Sequence, residues 1–523
     1  MMRQTDVAIV GAGLAGLTLA LQLRRTLPSL NVTVLDRRTH PAPETTFKVG
    51  ESMVEVSSWY LREELGLGNY LLESHLPKFG LRFFMSAGDN RELGRRPEFG
   101  LLNIPKDKPK LPHEAFPGLH LPTYNVDRGR LENHLLERCR AAGAEVLDGC
   151  KVEALHLGDS HEIATNPDLP FEKEKGRSGH SKLRARWVID ATGRAGILAH
   201  QLKLRQYEGH QINAAWFRLG GRINPDHWTK NEAFHSRTLP ELRWRSTNHL
   251  MGPGYWIWLI PLQNGATSVG IMADPVQHPL ERINRFERAL AWLRDREPQL
   301  AEVIASLERL DFRVLKAQAY FSRRALSVDH WALCGESGFF VDALYSPGGD
   351  FIAVGNTLAT QMIAADCAGD RLRLATLARF GEQLLNGMFQ HYLGLYRGCY
   401  HLMGKPGVML QKVAWDIAVY FAYNVLLFCN GRFCDPEFHR MIRQENARLE
   451  SLQQLMMFRF KARAAAENGS YSGRFIDQTY VEPIMSLYRS SDGRLDADAL
   501  KARLGENLKI LERFGNNIEE LVA

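Results

Sequence analysis

Little in this sequence is extreme, and its scarcities narrow the class. There are seven cysteines among 523 residues, with neither CxxC nor regular spacing. That excludes a disulfide scaffold, and an odd number of scattered thiols points to a reducing compartment, the cytoplasm; no metal site is expected. An excess of one charge is also missing. The 65 Lys and Arg stand against 59 Asp and Glu, for a net +6, too small an excess to call for nucleic acid. Long apolar runs are absent as well. The longest, Val413 to Cys429, is marginal in length and carries Asp416 and Asn424, so it reads as a buried or surface-docked helix, and peripheral membrane contact is not favoured. No internal repeat or low-complexity tract is present. What remains is a globular composition, 45% apolar and 24% charged, at a length that predicts about three domains.

The first residues, MMRQTDVAIVGAGLAGLTLALQL, put one Arg before an apolar stretch in the manner of a signal peptide, but three glycines at fixed spacing argue otherwise. Asp6 to Val10 is a short apolar run, Leu14 to Leu23 has helical periodicity, and Val32 to Leu35 reads as a second strand. Gly11, Gly13 and Gly16 therefore form GxGxxG at a strand-to-helix turn, with Asp36 closing the second strand where a ribose-binding carboxylate belongs. Glycine lets the turn form and a pyrophosphate approach the backbone, while the helix N-terminus offers free N–H groups. A dinucleotide is expected there.

Further on, Arg130 to Ala144 is an amphipathic helix, Glu145 to Leu157 is strand-like, and Trp187 to Ile189 is a buried strand that turns out through Asp190-Ala191-Thr192-Gly193. The charged stretch 171–186 reads as a solvated hairpin loop. Trp331 to Ile352 is an apolar strand broken at Gly335, then a glycine-rich turn and a helix. Between 205 and 325, alternating segments such as INAAWFRLGGRI, YWIWLIPL and ATSVGIMAD predict an antiparallel sheet, and from Asn386 onward the pattern is mostly helical and rich in aromatics.

GxGxxG, DATG and GESGFFVD together resemble the three FAD fingerprints of the flavoprotein monooxygenase superfamily, with Glu336 where the last commonly has Asp. The fold this implies is α/β: a Rossmann-like FAD-binding domain (1–75, 121–204 and 326–385), an antiparallel β-sheet substrate domain (76–120 and 205–325) and a helical C-terminal domain (386–523). By the same resemblance Arg37, Arg130, Asp190, Gly193, Gly335 and Glu336 join the three glycines and Asp36 at the cofactor. Lys48 to Ser52, KVGES, resembles a flavin-contacting strap linked to the family's active-site lysine, which assigns Gly50 and Glu51 to FAD; the family usually has a proline a few positions later, where this chain has Glu55.

Trp256 to Pro261, WIWLIP, matches WxWxIP, the signature that tells flavin-dependent halogenases from their hydroxylating relatives. Residues at i and i+2 of a strand share a face, so Trp256 and Trp258 would make a paired indole wall that keeps the organic substrate from the flavin. Core packing alone would explain the same pair. Lys78, in HLPKFG, lies where the family carries its catalytic lysine, which holds hypohalous acid or forms a haloamine; desolvation of a primary amine suits either role. Taken alone it reads as a surface lysine.

At Tyr345, before Ser346, enzymes for free tryptophan carry a glutamate. The tyrosine implies instead a phenol or pyrrole, whose own lone pair stabilises the cationic ring. Halide is expected at the backbone N–H groups of Gly348 and Gly349, since Pro347 has none; a plain tight turn is the other reading of this segment. The resemblance thus implies an FADH2-dependent halogenase. It would be supplied with reduced FAD by a partner flavin reductase and would use O2 and chloride or bromide on a small aromatic substrate, free or tethered to a carrier protein. Two other readings stay open: an FAD-dependent aromatic hydroxylase or epoxidase, and a flavoprotein binding subunit without turnover.

Overall fold

A computed structural model describes residues 3–44, 48–101, 121–166, 181–469, 471–491 and 493–522. Its first sheet is the α/β layer expected from the glycine fingerprints. The strands run in the order Leu326–Ser327, Trp331–Leu333, Ser181–Asp190, Arg3–Val10, Val32–Leu35 and Glu145–Leu147. The pairs from Trp331–Leu333 to Glu145–Leu147 are all parallel. Val7, Ala8, Ile9, Val188 and Ile189 are wholly buried, as a parallel sheet covered on both faces requires. The helix Leu14–Thr26 covers one face and packs on the helices Arg128–Ala141 and Pro347–Cys367. The antiparallel ribbon Lys151–His156 and His161–Asn166 joins the edge of Ser181–Asp190. The solvated loop expected over 171–186 lies outside the described residues as far as 180, and from Ser181 the chain is already strand because Leu183 and Ala185 pair into the sheet.

The second sheet has nine strands in the order Phe339–Phe340, Arg313–Ser322, Arg205–Leu219, Thr267–Ala273, Tyr255–Pro261, Thr247–Gly252, Leu81–Phe84, Glu98–Gly100 and Phe475–Asp477. The pairings from Phe339–Phe340 through Thr247–Gly252 are antiparallel, as the alternating sequence predicts. Alternation sends Trp256, Trp258 and Ile260 into the core shared with the first sheet, and Tyr255, Ile257 and Leu259 into a separate core on the other face. Trp258 lies across its neighbour Gly270, where an added methyl would sit 2.0 Å from the indole.

The C-terminal part differs from the expectation in two respects. The helix Arg371–Tyr396 runs through residue 386 without a break, so the boundary placed there cuts a single 26-residue element. Nor is the part wholly helical: Phe475–Asp477 pairs in parallel with Glu98–Gly100 and closes the edge of the second sheet. Helical patterning hid this because a three-residue strand leaves no periodic signal. The apolar stretch belongs to a helical run, Pro406–Cys429, long and apolar enough to cross a membrane but 83% buried in the protein over its most apolar window. Its Asp416 is ion-paired to Lys412 one turn earlier.

Candidate active site

At the carboxyl ends of the first sheet's strands lies a cavity of about 780 Å³. Gly11, at φ +110°, turns the chain out of the first strand, and a Cβ there would stand 2.5 Å from the Ala191 carbonyl. At Gly16 a Cβ would stand 1.9 Å from the Gly11 carbonyl, so this glycine lets the helix approach its own strand. Gly13 caps the helix and faces open space, its nearest neighbour being Lys48 Nζ at 3.7 Å from an added Cβ. The helix has no side-chain cap and no acid in its first turn. Its N–H groups are therefore free for an anion. Asp36 accepts the Ala12 N–H at 2.7 Å; burial pushes its carboxyl up, but hydrogen bonds from Arg38 and its positive charge outweigh this and hold it below its usual range.

Arg37, Arg38, Lys48, Arg128 and Arg194 also line this cavity. A glycine cradle at a helix N-terminus, ringed by cations and closed by a carboxylate, fits the pyrophosphate and ribose of FAD. Gly193, Gly335 and Glu336 line it too, with Glu336 ion-paired to Arg194. Asp190 does not line it. Wholly buried, it holds the Ala191-Thr192-Gly193 turn by accepting the N–H of Thr192 (3.0 Å) and of Leu198 (2.7 Å). Arg130 also lies outside the lining: its guanidinium donates to the Ser74 carbonyl, and Arg128, two positions earlier, reaches the strap instead, donating to the Val49 carbonyl at 2.7 Å. The helix begins at Arg128 rather than at 130, where the sequence pattern placed its start.

The strap Lys48 to Ser52 crosses this cavity, with Gly50 at φ +92°. Glu51 is anchored to Arg218 at 2.8 Å, and the same guanidinium pairs with Asp311 and donates to the Lys48 carbonyl. Burial pushes the Glu51 carboxyl up against the opposing pull of Arg218.

A second, smaller cavity of about 80 Å³ shares no lining residue with the first. Its wall includes Lys78, Glu55, Thr123, Tyr345, His391, Asp416 and Tyr420. Lys78 is 3% exposed, held by the pairing of Leu76–Lys78 with Thr123–Asn125. Its Nζ donates to Ser52 Oγ at 2.7 Å; Ser52 in turn is 3.0 Å from Thr247 Oγ1, which donates to Asn125 Oδ1 at 2.9 Å. Lys78 faces the small cavity, whereas Ser52 and Thr247 line the large one. Burial lowers the Lys78 pKa to about 7, although Glu55 and Asp350 oppose the fall. Burial likewise raises Glu55, against the pull of the Lys78 charge.

Tyr345 and Ser346, adjacent in the chain, line different cavities, Tyr345 the small and Ser346 the large. The change of side follows from Ser346, which adopts the left-handed conformation (φ +56°) as it caps the helix Pro347–Cys367. The Tyr345 hydroxyl donates to Asp416 at 2.8 Å. Gly348 and Gly349 line the large cavity, and nothing stands within 4 Å of an added Cβ at Gly348.

Trp256 and Trp258 pack with centroids 5.7 Å apart, and both line the large cavity alone. Neither indole reaches the small cavity, so both are part of the wall of the large one. Sequence reading linked the strap Lys48 to Ser52 with the lysine but did not single out Ser52, and it missed Thr247, the partner of Ser52. It also missed Asp416 and Arg128. It noticed Glu55 only as a departure from proline; an acid beside the strap was the available signal for a residue of the cavity.

The sequence model described as FAD binding domain matches residues 4–266. The flavin-dependent halogenase chlA of Dictyostelium discoideum is 25% identical over 443 residues, covering 80% of this chain and 69% of that protein. A 1H-pyrrole-2-carbonyl-peptidyl-carrier-protein chlorinase of Pseudomonas fluorescens is 24% identical over 409 residues, covering 75% of this chain and 80% of its own. Among solved structures, halogenase PltM in complex with phloroglucinol and FAD superposes with a TM-score of 0.63 at 18% identity, covering 99% of this chain and 97% of that one. The flavin-dependent brominase Bmp2 gives 0.58 at 20% identity, over 78% of this chain and 93% of that one.

Proposed function

The chain belongs to the FAD binding domain family, in the branch of the flavin-dependent halogenases, and on that premise we propose that it halogenates an electron-rich phenolic or pyrrolic ring through Lys78. The observation that carries this reading is the position of that lysine, whose amine faces the small cavity while its hydrogen-bond partner belongs to the wall of the large one. Bound FAD, reduced and supplied with O2, would provide the oxidation of chloride or bromide to hypohalous acid. No second GxGxxG offers a reductant its own site, so the reduced cofactor would come from a partner flavin reductase. The seven free cysteines suit such a reaction in the cytoplasm.

The chain's own residues divide the work. Gly348 and Gly349, at the N-terminus of the helix Pro347–Cys367, present N–H groups to a halide in the large cavity. Lys78, as an ammonium, holds hypohalous acid by hydrogen bond at the mouth of the small cavity, and burial keeps bulk water from hydrating the oxidant there. Tyr345 supplies no carboxylate, so the ring must stabilise its own developing cation, which favours a phenol or pyrrole, free or carrier-bound.

The test supplies the protein with a reductase, NADH, FAD and a panel of phenols, with and without bromide, and reads product mass. Halogenated product only with bromide supports the reading; oxygenated product without halide would make the protein a hydroxylase. Lys78→Ala should bind FAD as tightly as the native chain yet lose halogenated product by at least ~10³-fold, toward the upper range for a positioned acid or base. Undiminished product from that variant removes the lysine from the mechanism.

A further inference from the structure

We propose that Glu55 is the general base of the small cavity, taking the hydroxyl proton of a bound phenol while Lys78 presents the halogen. This rests on the small cavity being the substrate chamber, and it narrows the substrate to rings that carry an ionisable hydroxyl.

Three observations lead to it. First, Glu55 and Lys78 line the same cavity, one from the start of the helix Glu55–Trp59 and the other from the strand Leu76–Lys78. Second, Glu55 is the uncommitted acid there. The other lining carboxylate, Asp416, already accepts from Lys412 and from Tyr345. Asp350, behind the wall, accepts from Tyr392 at 3.1 Å. Apart from its own backbone N–H, no donor among the described residues is hydrogen-bonded or ion-paired to the Glu55 side chain. Third, the ionisable groups facing Glu55 are of suitable character: the Lys78 ammonium, the Asp350 carboxyl, and the hydroxyls of Tyr420 and Tyr488. Burial raises its carboxyl and so brings it closer to the basicity a phenol requires.

The protons balance over one turnover. The Glu55 carboxylate takes the phenol hydroxyl proton. The ring carbon attacks the halogen of hypohalous acid; its hydroxide leaves with the bonding electron pair, takes a proton from the Lys78 ammonium and becomes water. The halogenated dienone then loses its ring C–H proton to the Lys78 amine and regains a hydroxyl proton from Glu55. One phenol and one hypohalous acid give one halophenol and one water, and both side chains return to their starting states.

The experiment compares native chain, Glu55→Gln and Glu55→Asp, matched for bound FAD, on a series of substituted phenols and on the corresponding methyl ethers. Expected for Glu55→Gln, assayed at about pH 6 where the Lys78 ammonium persists, is a loss about 10²-fold larger on phenols than on the ethers, the low end for general-base removal; both rates also fall to the extent that losing the Glu55 charge lowers the Lys78 pKa, and the excess loss shrinks along the series as each phenol's own pKa drops toward the assay pH. Glu55→Asp should recover part of the phenol rate at the same pH. Equal losses on phenols and ethers, or no loss on phenols, would overturn the assignment of Glu55. Absence of halogenated product from the native chain would instead overturn the proposed function, so the two failures are distinguishable.

Discussion

Ser52→Ala tests the link between the chambers. Lys78 Nζ is buried and donates to Ser52 Oγ at 2.7 Å. A hydrogen bond from a charged donor contributes about 1.5–3 kcal/mol, and this one stabilises the ammonium rather than the amine. At 1.36 kcal/mol per pKa unit, its removal should lower the Lys78 pKa from about 7 by roughly one to two. At pH 7 the ammonium fraction then falls from about a half to a few per cent, and halogenation should drop by roughly tenfold, recovering near pH 5 to 6. The assay is the rate of halogenated phenol formation from pH 5 to 9 with reduced FAD in excess, beside direct titration of the lysine by NMR of a 13C-labelled ε-carbon. A rate rising at pH 7 in Ser52→Ala would mean that the free amine is the working form and that a haloamine carries the halogen. An unmoved pKa would refute the inference that Ser52 sets the protonation of Lys78.

Two further perturbations address the cofactor cradle and the strap. Gly16→Ala sets a methyl 1.9 Å from the Gly11 carbonyl and should destabilise the fold by about 3 kcal/mol or more, since backbone must move, whereas Gly13→Ala, with only Lys48 Nζ at 3.7 Å, should leave the apoprotein's melting temperature nearly unchanged and weaken FAD by tenfold or more; thermal melts and flavin fluorescence titration check both. Arg218→Met strands the buried Glu51 and Asp311 and should cost about 3–5 kcal/mol at neutral pH. Because burial already pushes the Glu51 carboxyl up and Arg218 opposes it, loss of the guanidinium raises Glu51 further, and that cost should shrink as pH falls through the raised value toward the ordinary carboxylate range; a cost independent of pH in denaturant titrations would show that the ion pairs do not hold the strap.

Local chemistry was legible in the sequence wherever it follows from spacing along one segment. Gly11, Gly13 and Gly16 sit on one turn, and Trp256 and Trp258 on one face of one strand, so period and motif sufficed. Lys78 was found through resemblance, and its burial was not readable, because it depends on pairing with Thr123–Asn125 and on Ser52, 26 residues away. Thr247 lies 195 residues from Ser52, and nothing local marks that contact. Arg130 was placed at the cofactor by resemblance and Arg128 was not singled out, because which of two arginines two positions apart turns toward the strap depends on contacts distant in sequence, Val49 for Arg128 and Ser74 for Arg130. The lining of the small cavity by His391, Asp416 and Tyr420 was hidden for a plainer reason: composition showed that the C-terminal part is apolar, not where it packs.

The short strand Phe475–Asp477 bears on how such proteins can be recombined. A chimaera that joined this chain's first 385 residues to another protein's tail would sever one helix at its middle, and would also leave Glu98–Gly100 as a raw sheet margin with amides and carbonyls open to any passing strand. Grafting a new tail to redirect substrate choice therefore demands a matching three-residue register at that seam, and grafts lacking it should aggregate before their selectivity can be read.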